Sequence, residues 1–143
     1  MAALLMYHQQ KCNLKKSKKK YLFVGLGTMG FPMAGHLSQG NSDVYVFNRT
    51  HAVSSRWIKK YKGIQIKSLE GLSIKFDGVI TCLKDDAAIK SILKTNLYES
   101  IKTNGFILDH STTSLDLVDA ISNDPHLRFK NISFFDAPVS GGE

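Results

Sequence analysis

Three glycines at fixed spacing carry the clearest chemistry in this chain. Gly25, Gly27 and Gly30 stand in "FVGLGTMGFPMAGHL" as G-x-G-x-x-G between an apolar run and a helical repeat. Gly25 suits a tight turn, Gly27 leaves room for a pyrophosphate against the backbone, and Gly30 lets a helix pack closely on a strand. Free N–H groups around Leu26, Thr28 and Met29, with the positive end of a helix dipole, would hold the phosphates. Pro32 falls in the first helical turn, where it costs no intrahelical bond.

About twenty residues on, where an NAD enzyme places an acid for the ribose hydroxyls, the chain reads "VFNRTH". A carboxylate would repel a 2′-phosphate. Asn48 is neutral, Arg49 can clamp a phosphate with its planar fork, and Thr50 adds a hydroxyl. This pattern predicts NADP(H) over NAD(H). A third feature is "FDAPVSGGE", residues 135–143, a polar, Gly-rich strand end at which a substrate anion would sit. Asp85 and Asp86 precede one helix and Ser114 another, so N-capping is their expected role. Cys82 reads as a packed apolar residue, not a nucleophile. Lys84 reads as solvated.

These residues need strands to end beside one another. "YLFVG" (21–25), "DVYVF" (43–47), "GIQI" (63–66), "FDGVITCL" (76–83), "GFILD" (105–109) and "ISFFD" (132–136) read as six strands, several almost continuously apolar. Between them run helical stripes: Met29, Met33 and Leu37; Val53, Trp57 and Tyr61; Ile89, Ile92 and Leu93; and Val118 and Ile121. Strand–helix alternation of this kind gives an α/β fold, a Rossmann-type doubly wound parallel sheet.

The 143 residues are about enough for one domain. The net charge of +7 belongs mostly to the start of the chain: residues 1–20 hold six lysines and no acid, leaving 13 basic against 12 acidic residues elsewhere. Residues 1–20 are therefore read as a basic, disordered leader and 21–143 as an NADP-binding domain. The leader's apolar stretch, Ala2 to Met6, is too short for a signal-peptide core or membrane span, and it lacks the Arg/Ser mixture of a mitochondrial presequence. Nucleic acid is not an expected partner. Cys12 and Cys82 lie far apart without CxxC spacing, which argues against a disulfide framework or a metal site and for a cytoplasmic setting.

The motifs together resemble the β-hydroxyacid dehydrogenases, the group containing 3-hydroxyisobutyrate dehydrogenase, the glyoxylate/succinic semialdehyde reductases and, more distantly, 6-phosphogluconate dehydrogenase. "FVGLGTMGFPMA" is similar to the family signature, "VFNRT" to its NADP-preferring members, "LDHSTTS" to its D-x-S-T strand end, and "FDAPVSGGE" to its D-A-P-V-S-G-G. The resemblance spans about Tyr21 to Glu143. It implies that Gly25, Leu26, Gly27, Thr28, Met29 and Gly30 hold the pyrophosphate, with Asn48, Arg49 and Thr50 at the adenosine ribose and its phosphate. It puts Cys82 and Leu83 at the nicotinamide ribose, Ser111 and Thr112 near the nicotinamide, and Ser140, Gly141 and Gly142 at a substrate carboxylate. Asp109 and Asp136, at strand ends, are expected to be structural.

The resemblance also implies a proton-donating lysine in G-x-G-x-x-x-K-x-x-N and an all-helical second domain that builds a homo-oligomer. Neither is in this sequence, so no catalytic residue is assigned. The chain is expected to be the amino-terminal portion of a dehydrogenase about twice as long, incompetent for catalysis as it stands, with "FDAPVSGGE" continuing into further chain. The alternative is a stand-alone, non-catalytic NADP(H)-binding module.

Overall fold

The computed structural model describes residues 17–140. Six strands form one parallel sheet in the order β3-β2-β1-β4-β5-β6: β1 (Lys19–Val24), β2 (Ser42–Phe47), β3 (Ile64–Gln65), β4 (Phe76–Thr81), β5 (Ile101–Asp109) and β6 (Ser133–Asp136). The connecting helices are α1 (Gly30–Ser38), α2 (His51–Lys60), α3 (Asp86–Leu93), α4 (Leu115–Ser122) and α5 (Pro125–Phe129), with a 3₁₀ turn at Leu97–Ser100. The expected doubly wound fold is what forms.

Successive strand residues point to opposite faces, so an almost continuous apolar run feeds two cores. On β1, Leu22 and Val24 join Ile89, Ile92, Leu117, Ile121 and Leu127 under α3, α4 and α5. Phe23 instead joins Val44, Val46, Ala34 and Trp57 under α1 and α2. Trp57 is fully buried and its indole N–H donates to the Phe31 carbonyl at 3.0 Å, tying α2 to α1. The order reverses between β1 and β4, which places a crevice at the carboxyl ends of those strands.

Several local expectations are corrected. The fully buried face of α1 consists of Gly30, Ala34, Gly35 and Ser38, while Met33 and Leu37 are only half-buried, because the helix lies too close to the sheet for larger side chains. On α4 the buried pair is Leu117 and Ile121, with Val118 at the margin. β1 begins at Lys19, inside the stretch expected to be disordered. Asp77 explains that ordering: its carboxylate accepts from the Lys20 N–H at 2.9 Å and pairs with the ammonium groups of Lys19 and Lys102 at 3.1 and 3.0 Å. Burial raises the Asp77 pKa, but those donors outweigh it and bring the group down to about 2. The remaining expectations for the leader, on residues 1–16, lie outside the described residues.

Candidate functional site

The loops at the carboxyl ends of the strands are stitched to one another by continuing the sheet's ladder. The Gly25 N–H donates to Phe47 O, Cys82 N–H to Val24 O, His110 N–H to Thr81 O, and Ala137 N–H to Asp109 O, all at 2.8–2.9 Å. Gly25 has φ +98, and a Cβ there would strike the Cys82 carbonyl and the Leu83 side chain. A Cβ on Gly30 would strike the carbonyl of Gly25. At Gly27 a Cβ would meet nothing within 4 Å. Two glycines thus serve the turn and the helix contact, and the third presents bare backbone to open space.

That space belongs to a cleft of about 700 Å³. Its walls bring together Gly25 and Gly27, the β2 end at Asn48, Arg49 and Thr50, and the β4 end at Cys82 and Leu83. The N–H groups of Gly27, Thr28 and Met29 have no protein partner among the described residues. The N–H of Leu26 does, contrary to expectation: it donates to Asn48 Oδ1 at 2.9 Å, and the Leu26 side chain is buried. Asn48 Nδ2 donates in turn to the Thr50 carbonyl at 3.2 Å. This amide locks the glycine loop to the β2 end. Arg49 and Thr50 are exposed, and no hydrogen bond or ion pair of the Arg49 guanidinium occurs among the described residues.

The β5 end carries Ser111 and Thr112, expected near the nicotinamide. Ser111 is buried, its Oγ accepts from the Leu83 N–H at 2.8 Å, and its own N–H donates to Asp109 Oδ1 at 3.0 Å. Thr81 Oγ1 donates to the same Asp109 oxygen at 2.7 Å. Ser111, two residues past the strand end and 1% exposed, is committed to holding the β4 loop. Neither it nor the exposed Thr112 lines the cleft. Asp109 is structural, and its Oδ2 is buried without a partner among the described residues. Cys82 is half-buried between the glycine loop and the cleft. Burial pushes its thiol up, and the charge of Asp109 adds to the shift, so it is a poor nucleophile.

Beyond β6, His110 Nδ1 meets the Ala137 carbonyl at 2.7 Å and the Val139 N–H donates to His110 O at 3.2 Å. The segment ahead of Ser140 is therefore fastened to the β5 end. Ser140 is exposed; Gly141 and Gly142 lie outside the described residues. Asp136 is exposed and makes no side-chain bond among the described residues, so the structural role expected of it has no contact behind it. Asp85 caps α3 by accepting from the Ala88 N–H at 2.9 Å. Asp86, expected to cap, sits inside the first turn and accepts from the N–H and Oγ of Ser114, bridging α3 to α4.

Sequence reasoning missed one wall of the cleft: Lys67, Ser68, Leu69 and Glu70, in the loop after β3, together with Lys84. The signal was present, since β3 also ends on this edge and ligands gather at such ends. Among the described residues no cluster of His, Cys, Asp or Glu is arranged to hold a metal ion, and no helix is long and apolar enough to cross a membrane.

A family model described as the NAD binding domain of 6-phosphogluconate dehydrogenase matches residues 20–143. The chain belongs to this family. It is 36% identical over 126 residues to an uncharacterized oxidoreductase of Shewanella frigidimarina, covering 87% of this chain and 43% of that protein. It is 32% identical over 120 residues to the mitochondrial 3-hydroxyisobutyrate dehydrogenase of Drosophila melanogaster, covering 84% and 36%. The Mycobacterium tuberculosis 3-hydroxyisobutyrate dehydrogenase solved with L-serine shares the fold at a TM-score of 0.74 and 24% identity, covering 87% of this chain and 42% of that one. The chain thus spans well under half the length of the relatives it matches. The matched family is a nicotinamide-dinucleotide-binding domain, and these relatives carry the names of oxidoreductases and 3-hydroxyisobutyrate dehydrogenases.

Proposed function

We propose that the chain is the NADP(H)-binding part of an oxidoreductase that transfers a hydride between NADP(H) and a small β-hydroxy acid or the matching semialdehyde. The observation that carries this reading is the open backbone at Gly27, facing a cleft that also holds Arg49, unpaired among the described residues, and no acid at position 48. Bound there, the dinucleotide would donate or accept the hydride. The chain's own residues do the rest of the work of binding. The N–H groups of Gly27, Thr28 and Met29, at the start of α1, hold the pyrophosphate with the help of the helix dipole. Asn48 keeps the loop in shape without placing a negative charge near the adenosine. Arg49 and Thr50 take the 2′-phosphate, and Cys82 and Leu83 wall the nicotinamide ribose.

For the substrate, Ser140, Gly141 and Gly142 hold the carboxylate, and the fastening of Ala137 and Val139 to the β5 end positions the segment that leads to Ser140. No lysine in this sequence stands in the family's proton-donor motif, so protonation of the product alkoxide is assigned to none of its residues. The setting is the cytoplasm, and any homo-oligomer would need segments beyond those described.

Titration of NADPH and NADH into the 143-residue chain, followed calorimetrically, tests the cofactor assignment. The expected result is tighter binding of NADPH, with the difference lost in Arg49→Ala. An unchanged NADPH/NADH ratio in that variant removes Arg49 from the phosphate site.

A further inference from the structure

The cleft's missed wall carries a consequence for cofactor choice. β2 and β3 pair in parallel with Tyr45 opposite Ile64 and Val46 opposite Gln65, and the Ile66 N–H donates to Val46 O at 2.8 Å. Continuing that register past the strand ends sets Lys67 beside Asn48 and Ser68 beside Arg49, and all four line the cleft. The loop that presents them is held on both sides. Ile66 and Leu69 are buried at 7% and 5% exposure, and Ser68 Oγ accepts from the Glu70 N–H at 3.1 Å. That bond uses a lone pair of the Ser68 hydroxyl and leaves its proton free to donate.

The charges are disposed to match. Lys67 is exposed and, like Arg49, enters no ion pair among the described residues. The cleft's other charged groups are Lys84, on the β4 side, Asp85, engaged as the α3 cap, and Glu70, beyond buried Leu69. Two uncommitted cations on adjacent strand ends, each next to a hydroxyl residue, form a complement to a phosphate monoester: one planar fork and one mobile ammonium.

We infer that Lys67 is a specificity-determining residue of this cleft, closing with Ser68 the second side of a 2′-phosphate subsite whose first side is Arg49 and Thr50. The inference rests on the NADP(H) reading above. Position 48, where an NAD-preferring site would carry its acid, holds the neutral Asn48, and Lys67 is its neighbour in register.

The test measures dissociation constants for NADPH and NADH, at one fixed ionic strength, in the 143-residue wild-type chain and in its Lys67→Ala, Lys67→Arg and Arg49→Ala variants. Lys67→Ala is expected to weaken NADPH about tenfold, or some 1.4 kcal/mol, and to leave NADH unchanged. Lys67→Arg is expected to restore most of the loss. Because Lys67 and Arg49 are both exposed, all of these variants should fold. If wild type prefers NADPH and Arg49→Ala abolishes the preference while Lys67→Ala does not alter it, the Lys67 assignment fails and the cofactor reading stands. If Lys67→Ala weakens both cofactors equally, Lys67 is a general electrostatic contributor and the inference is overturned. A wild-type chain that binds neither cofactor, or binds them equally, overturns both.

Discussion

Replacing Asp109 by alanine isolates what holds the β4 and β5 loops in register. Its Oδ1 accepts from Thr81 Oγ1 and from the Ser111 N–H, and Thr81, Asp109 and Ser111 are 2%, 1% and 1% exposed. Truncation strands two buried donors, each at about 1–3 kcal/mol, for a loss of about 3–5 kcal/mol in all. In a chain of this size that lowers Tm by about 10–20 °C. Asp109→Asn is the control. Its amide oxygen can accept both bonds, and its NH₂ occupies the place of Oδ2, which has no partner among the described residues in any case. It should lose less than half as much. Urea denaturation of the two variants checks the difference, with an unchanged m-value showing that the unfolding unit is the same. If Asp109→Ala stays within about 1 kcal/mol of wild type, or if Asn costs as much as Ala, the oxygen-centred network is not what joins these loops.

Two further expectations follow from the same edge and its opposite. Gly27→Ala should leave the urea midpoint unchanged and weaken dinucleotide binding at least tenfold, whereas Gly30→Ala should cost about 1–3 kcal/mol by driving α1 off the Gly25 carbonyl; equal stability of the two variants refutes the division of labour. At the amino ends of the strands, the carboxylate of Asp77 is held at about 2, below its unfolded value, so its contribution is full above pH 4 and lost as pH falls toward 2. Allowing for screening of the exposed lysines, Asp77→Asn should cost about 1–2 kcal/mol at pH 7 and nothing near pH 2. Urea titrations at the two pH values check this, and a pH-independent cost counts against the ion pairs as its source.

The fold was readable because β1, β2 and β4 are apolar on both faces and glycines mark the first crossover. What escaped was set by contacts between distant positions. β5 starts at Ile101, four residues before the apolar run, because Ile101 pairs with Phe76 across a shift of register and Asn104 takes a positive φ of 62. No local pattern announces such an irregularity. α5 has only five residues, too few to show a helical period. In the site, the glycine loop was legible from spacing alone, and so were the strand ends that surround it. That Leu26 donates to Asn48, 22 residues away, or that the Ser111 hydroxyl turns inward to Leu83, depends on which loops meet, and side-chain identity does not reveal that. Lys67 to Glu70 carry no motif at all.

The bond between Asn48 and Leu26 bears on how such a chain can change. Either oxygen of an aspartate could accept the Leu26 N–H as Asn48 Oδ1 does, and the Thr50 carbonyl, which would lose its amide donor, keeps the Val53 N–H. Asparagine and aspartate codons differ by a single nucleotide. The position that would set the charge beside the adenosine ribose is thus the one whose structural duty both residues can perform, so selection on the cofactor can act there without first having to repair the loop.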